Sequence, residues 1–109
     1  MAIDRLQTFR NFIAKSPKDP FPRYGLAMEL RSRGDLDGAS AAFAELMAGF
    51  PDYVPTYLMA GGVLAQLGRR EEAAGCFRRG VEVATGKGDL HAKKELEAAL
   101  AELEAGGTD

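Results

Sequence analysis

The stretch Leu30-Arg31-Ser32-Arg33-Gly34-Asp35-Leu36-Asp37-Gly38-Ala39-Ser40-Ala41-Ala42-Phe43 returns 34 residues later as Leu64-Ala65-Gln66-Leu67-Gly68-Arg69-Arg70-Glu71-Glu72-Ala73-Ala74-Gly75-Cys76-Phe77. Leu30 falls on Leu64, Gly34 on Gly68, Ala39 on Ala73 and Phe43 on Phe77. The register extends upstream: Ala27 falls on Gly61, Phe9 on Phe43 and Pro17 on Pro51, while Ile13, Met47 and Val81 share a column. So many matches at one offset mark a tandem repeat, in which each unit buries its apolar face against the next.

Each period reads as two helices. Leu26, Ala27 and Leu30 recur at helical spacing up to the break at Gly34-Asp35, and Ala39, Ala42, Phe43, Leu46 and Met47 do so up to Pro51. Gly34 suits a helix end that needs a left-handed residue, and Asp35 can cap the next helix by accepting from its free N–H groups. Pro20, Pro22 and Pro55 sit in expected first turns, where a missing N–H costs nothing. The second period repeats the pattern with Tyr57, Ala60, Gly61 and Leu64, a break at Gly68, then Ala73, Phe77 and Val81. Six helices are predicted, at about 3–15, 20–33, 36–48, 54–67, 70–84 and 88–104. The last, capped by Asp89, carries Leu96, Leu100 and Leu103 on one side, as suits a helix that closes and solvates an array. Residues 105–109 are expected to form a frayed tail. Ala27, Ala39, Gly61 and Ala73 fall where helices should cross closely. Gly25, Gly61, Gly62 and Gly75 need such crossings as compensation, or else mark soft spots.

The columns Leu26-Ala27, Leu30, Gly34, Ala39, Phe43 and Pro51, then Tyr57, Gly61, Leu64, Gly68, Ala73 and Phe77, resemble the tetratricopeptide repeat (TPR) family. The resemblance covers roughly residues 4–85. It implies an all-α chain of antiparallel helix hairpins, stacked as a right-handed α-solenoid fragment with a C-terminal capping helix. The units would be a half repeat at about 3–19, repeats at about 20–53 and 54–87, and the closing helix. Two positions depart from the pattern: Arg23 stands where a bulky aromatic is usual, and Thr85 where the second unit should close on proline. The resemblance also implies a non-catalytic adaptor or scaffold that binds protein or peptide in the groove lined by the first helix of each unit. The family's charged groove for chaperone carboxylate tails uses Lys and Asn there. Here Tyr24, Met28 and Met59 hold those places, so that variant of the function is not expected.

Bulk properties agree. At 109 residues the chain has the length of one domain, and 46% hydrophobic with 28% charged residues is a globular composition. Met1-Ala2-Ile3-Asp4-Arg5 meets an acid at once and is no secretory leader, and no apolar run approaches the ~20 residues of a membrane span. A bacterial-type cytoplasmic protein without membrane association is the default expectation. Net charge is −2, unevenly spread: residues 1–53 balance, 69–87 carry +2 and 89–109 carry −4. No basic stripe of the kind that tracks nucleic acid emerges.

Chemistry-bearing residues are sparse. One cysteine, Cys76, and one histidine, His91, sit in separate helices and cannot assemble a four-ligand zinc site. Thr85-Gly86-Lys87-Gly88 lacks the upstream glycine, the closing Ser/Thr and the preceding strand of a phosphate loop, and reads as a turn between helices. Glu71-Glu72 suit a helix start, where the dipole favours acids. No catalytic residue, metal or cofactor is expected.

The binding face follows from the register. Tyr24, Met28 and Arg31 share one side of a helix at i, i+4 and i+7, and Leu58, Gly62 and Ala65 repeat them 34 residues on. Phe21 flanks the first set, and Met59 and Gln66 the second. Leu26, Ala27 and Leu30 already supply the core stripe, so Tyr24 and Met28 are surplus apolar residues on an open side, with Gly62 as a dent in the floor. Such a patch suits an apolar peptide, with Arg31 available to an acidic group. On this reading the fold survives Tyr24→Ala with Met28→Ala, and Arg70, Arg78 and Arg79 offer a second, convex candidate surface. The competing expectation is a homotypic module whose patch is covered by its own closing helix or a second subunit, as monomer or weak homodimer. A small enzyme or ligand carrier is the third.

Overall fold

Three glycines punctuate the chain. Gly34, Gly68 and Gly88 have φ of 82°, 78° and 70°, a left-handed conformation open to glycine at little cost. Around each, two crossed hydrogen bonds close the preceding helix: Gly34 N–H to Arg31 O and Asp35 N–H to Leu30 O, both 3.0 Å, and the same pair at Gly68 and Gly88. This double bond satisfies carbonyls that a helix end otherwise leaves open.

The computed structural model describes residues 4–106. It contains six helices: α1 (Arg5–Lys15), α2 (Pro20–Ser32), α3 (Leu36–Gly49), α4 (Pro55–Gln66), α5 (Arg70–Lys87) and α6 (Leu90–Ala105), with no strand among the described residues. Asp4, Asp19, Asp35 and Asp89 each cap a helix by accepting from its first N–H groups. Residue 3, the expected start of the first helix, and residues 107–109 of the expected tail lie outside the described residues. Ala105 is still helical, and Gly106 closes α6.

One boundary corrects the expectation. α5 does not end near residue 84 but runs to Lys87, so Thr85-Gly86-Lys87 is helix and the turn shrinks to Gly88-Asp89. The cause is the missing proline: α3 ends before Pro51, whereas Thr85 keeps its N–H and its hydroxyl donates to Val81 O at 2.7 Å.

Successive helices pack as antiparallel hairpins, and α4 also reaches α6. Two apolar clusters result. Ala27, Ala39, Phe43, Leu46, Ala60 and Val63 join α2, α3 and α4; Val54, Tyr57, Phe77, Ala84 and Leu96 join α4, α5 and α6. The radius of gyration is 14.3 Å, above the ~13 Å of a 100-residue globule, as suits an elongated stack of hairpins.

The glycines divide by what faces them. A Cβ on Gly25 would collide with the Phe9 ring, and one on Gly61 with the Phe77 ring. Gly62 and Gly75 face open space, so packing does not compensate them. Gly80 is a third crossing, where a Cβ would strike Tyr57 and Leu96. At the other departure Arg23 performs the duty of its repeat partner. Tyr57 donates its hydroxyl to Pro51 O at 2.6 Å, and Arg23, in the same column, donates Nη2 to Pro17 O at 3.4 Å while lying over the Phe50 ring.

Candidate functional site

Pro22 in the first turn and Ala27 at the helix crossing seat α2 by its buried side, which turns Phe21, Tyr24, Met28 and Arg31 toward the concave face. Phe21, Tyr24, Met28 and Arg31 line a hollow of about 950 Å³ together with Arg5 and Phe9 of α1 and Gln66 of α4. Phe21 is 64% exposed, a large apolar side chain held in water. Leu58 and Met59 line a second, smaller hollow of about 330 Å³ with Asp89, the cap of α6, and with His91 and Glu95 of that helix. Tyr24 borders both and is the hinge between them. Gly62 and Ala65 are half-buried and border neither hollow as a lining residue.

Tyr24 is less free than its helix position suggests. Its ring meets Phe43 edge-on at 6.2 Å and Tyr53 at 5.7 Å, and both Tyr24 and Met28 pack on the first core cluster. Tyr53 comes from the α3–α4 linker, which a single-helix reading does not bring into view. Burial raises the Tyr24 phenol above its ordinary range; Tyr53 adds to this and Arg31 offsets part of it. Tyr24→Ala therefore removes core contacts as well as groove surface, so Phe21 is the cleaner probe of the face.

The closing helix takes one end only. Leu58 packs into the second cluster beside Leu96, whereas the larger hollow is bounded by α1, α2, the start of α3 and α4, with no residue of α6. The convex arginines hold α6 down. Arg70 donates to Leu103 O at 3.0 Å and Glu104 O at 3.3 Å, and Arg78 pairs with Glu104 at 3.3 Å. Arg79 lies beside the Tyr57 phenol and partly offsets its burial.

Cys76 is half-buried against Met47 Sδ at 3.9 Å, and burial, with Glu72 nearby, pushes its thiol up, away from the thiolate a nucleophile needs. His91 is exposed and pairs with Glu95 one turn on. Among the described residues no cluster of metal-ligating side chains occurs, and no helix is long and apolar enough to cross a membrane.

Stacked helix hairpins with left-handed glycine breaks and an apolar concave side define a helical-repeat protein. A tetratricopeptide repeat domain protein of Salinibacter ruber, solved in solution, is 35% identical over 86% of this chain and 95% of its own, with a TM-score of 0.81. The chain belongs to the tetratricopeptide repeat family. At 12% identity the TPR2B domain of yeast Sti1, solved in complex with pHsp70, shares the fold at a TM-score of 0.84, covering 92% of this chain and 80% of that one. The type III secretion translocator chaperone SycD of Yersinia enterocolitica does so at 16% identity and a TM-score of 0.81, covering 92% and 70%. No family model matches the chain, and no curated protein matches it in sequence.

Proposed function

We propose that this chain is a non-catalytic adaptor that seats an apolar segment of a partner protein in the larger concave hollow. The observation that carries this reading is Phe21, 64% exposed in the lining of a hollow it shares with Tyr24 and Met28. Exposed aromatic and methionine surface is the usual signature of an adaptable docking face. Arg31, exposed on the same wall, suits an acid in the partner segment. Two chains of the same fold support the reading by what they do: the Sti1 domain was solved with a pHsp70 partner, and SycD is a translocator chaperone.

The test is selection of peptides on the immobilised protein, followed by affinity measurement on wild type and Phe21→Asp. Loss of an exposed aromatic anchor should weaken a selected peptide by about 1–4 kcal/mol, with the far-UV spectrum unchanged. Peptides that bind both proteins equally would move the docking face elsewhere.

A further inference from the structure

Counted in repeat units, the described chain begins with the second helix of a hairpin and finishes with the first. α1 occupies the register of α3 and α5, and among the described helices it packs chiefly on α2; α6 follows α5 in the register of α2 and α4. Both outer helices leave surface uncovered. Phe12 stands in the column of Leu46 and Gly80, which are buried, yet it is 52% exposed. Arg5 stands in the column of Ala39 and Ala73, both fully buried, yet it is exposed and leans on Glu29 at 3.8 Å. On α6 the side away from the core carries Ala98 and Ala101, both exposed, with Glu97 and Glu102 beside them.

The charges of the two ends are opposite. In residues 4–18, Arg5, Arg10, Lys15 and Lys18 against Asp4 leave +3; in residues 89–105, five acids against Lys93 and Lys94 leave −3. We infer that the occupant of the α1 edge and the adjoining hollow is the closing helix α6 of a second copy, docked head to tail so that its Ala98 and Ala101 side meets Phe12. This rests on the reading of that hollow as a docking face, and names what fills it. The contact is heterologous, one surface meeting a different one, so it leaves a free head and a free tail and can continue into short chains. Attraction between a basic head and an acidic tail weakens with salt, since the screening length falls to about 3 Å at 1 M.

Sedimentation of the full chain against concentration tests this, with Phe12→Asp blocking the head and Ala101→Arg blocking the tail. Both sites are exposed, and circular dichroism confirms that each variant folds. The wild type should grow from monomer to dimer and longer species at low salt and revert at about 1 M salt. Each variant alone should sediment as a monomer, and an equimolar mixture should form a one-to-one dimer, because each still carries the surface the other lacks. A wild type that stays monomeric at the highest soluble concentration overturns the inference, and the Phe21→Asp peptide measurement then judges the docking face by itself. Association lost in Phe12→Asp but kept in Ala101→Arg would mean a symmetric α1 contact and also overturns it.

Discussion

Two glycines on neighbouring helices make opposite demands on the same substitution. Gly61 faces the Phe77 ring and Gly75 faces open space. Alanine favours a helix by about 1 kcal/mol over glycine, but forcing a methyl into packed atoms costs about 1–3 kcal/mol. Gly75→Ala should therefore raise the urea midpoint and Gly61→Ala should lower it. A rise in both would mean the α4–α5 crossing is looser than described. Composition alone does not separate the two, because each is a glycine inside a helix; only the fall of Gly61 on Ala27 in the repeat register singles it out. Gly80 falls on Leu46 in the register, so the register does not mark it as small, and one of the groups it accommodates is Leu96 on α6, outside the two full repeats. The buried phenols set a pH dependence. Burial raises Tyr24, Tyr53 and Tyr57 in the folded state, and raises Cys76 in the same sense. A raised folded value favours the protonated form, so this stability is fully present below the unfolded value, about 10 for tyrosine, and is lost as pH climbs through the folded values. Urea midpoints should fall between about pH 8 and pH 11, and a flat profile would count against the burial of these rings.

At the scale of the element, the hairpins were legible because their signals are local. Gly34 and Gly68 are needed for a left-handed turn, and Asp35 is needed at the following cap, so both leave their mark in the residues themselves. The end of α5 was not legible from the repeat alone: Thr85 replaces a proline, and a helix that has lost its stop signal runs until Gly88 supplies another. The open side of α2 was legible only in part. Helical spacing put Tyr24 and Met28 together, but the cover on Tyr24 comes from Tyr53 in a linker, which no helix period contains. Each second helix contributes one large ring to the core. Phe43 and Phe77 are 0% and 4% exposed, and truncating either ring to alanine should cost about 3–5 kcal/mol. Thermal melts decide the point, and unchanged melting in both variants would refute the placement of these faces.

For the whole molecule, the two ends of the stack of repeats differ, although Leu90 at the start of α6 is also exposed. The α4–α6 end is closed by Leu96, by Arg70 on the last carbonyls of α6 and by the Arg78–Glu104 pair. The α1–α2 end keeps Phe12 and Phe21 in water and a hollow of about 950 Å³ between the helices. An apolar edge at one end of a solenoid, and a solvated helix at the other, gives the molecule a direction. The central claim is that the concave side is the docking face, and chemical-shift mapping tests it most directly. A selected peptide is titrated into isotopically labelled protein, and the backbone signals are followed residue by residue. The account predicts that the largest changes gather at Phe21, Tyr24, Met28, Arg31 and Gln66 with the facing residues of α1. Changes confined to the outer side of α3 and α5 would contradict it.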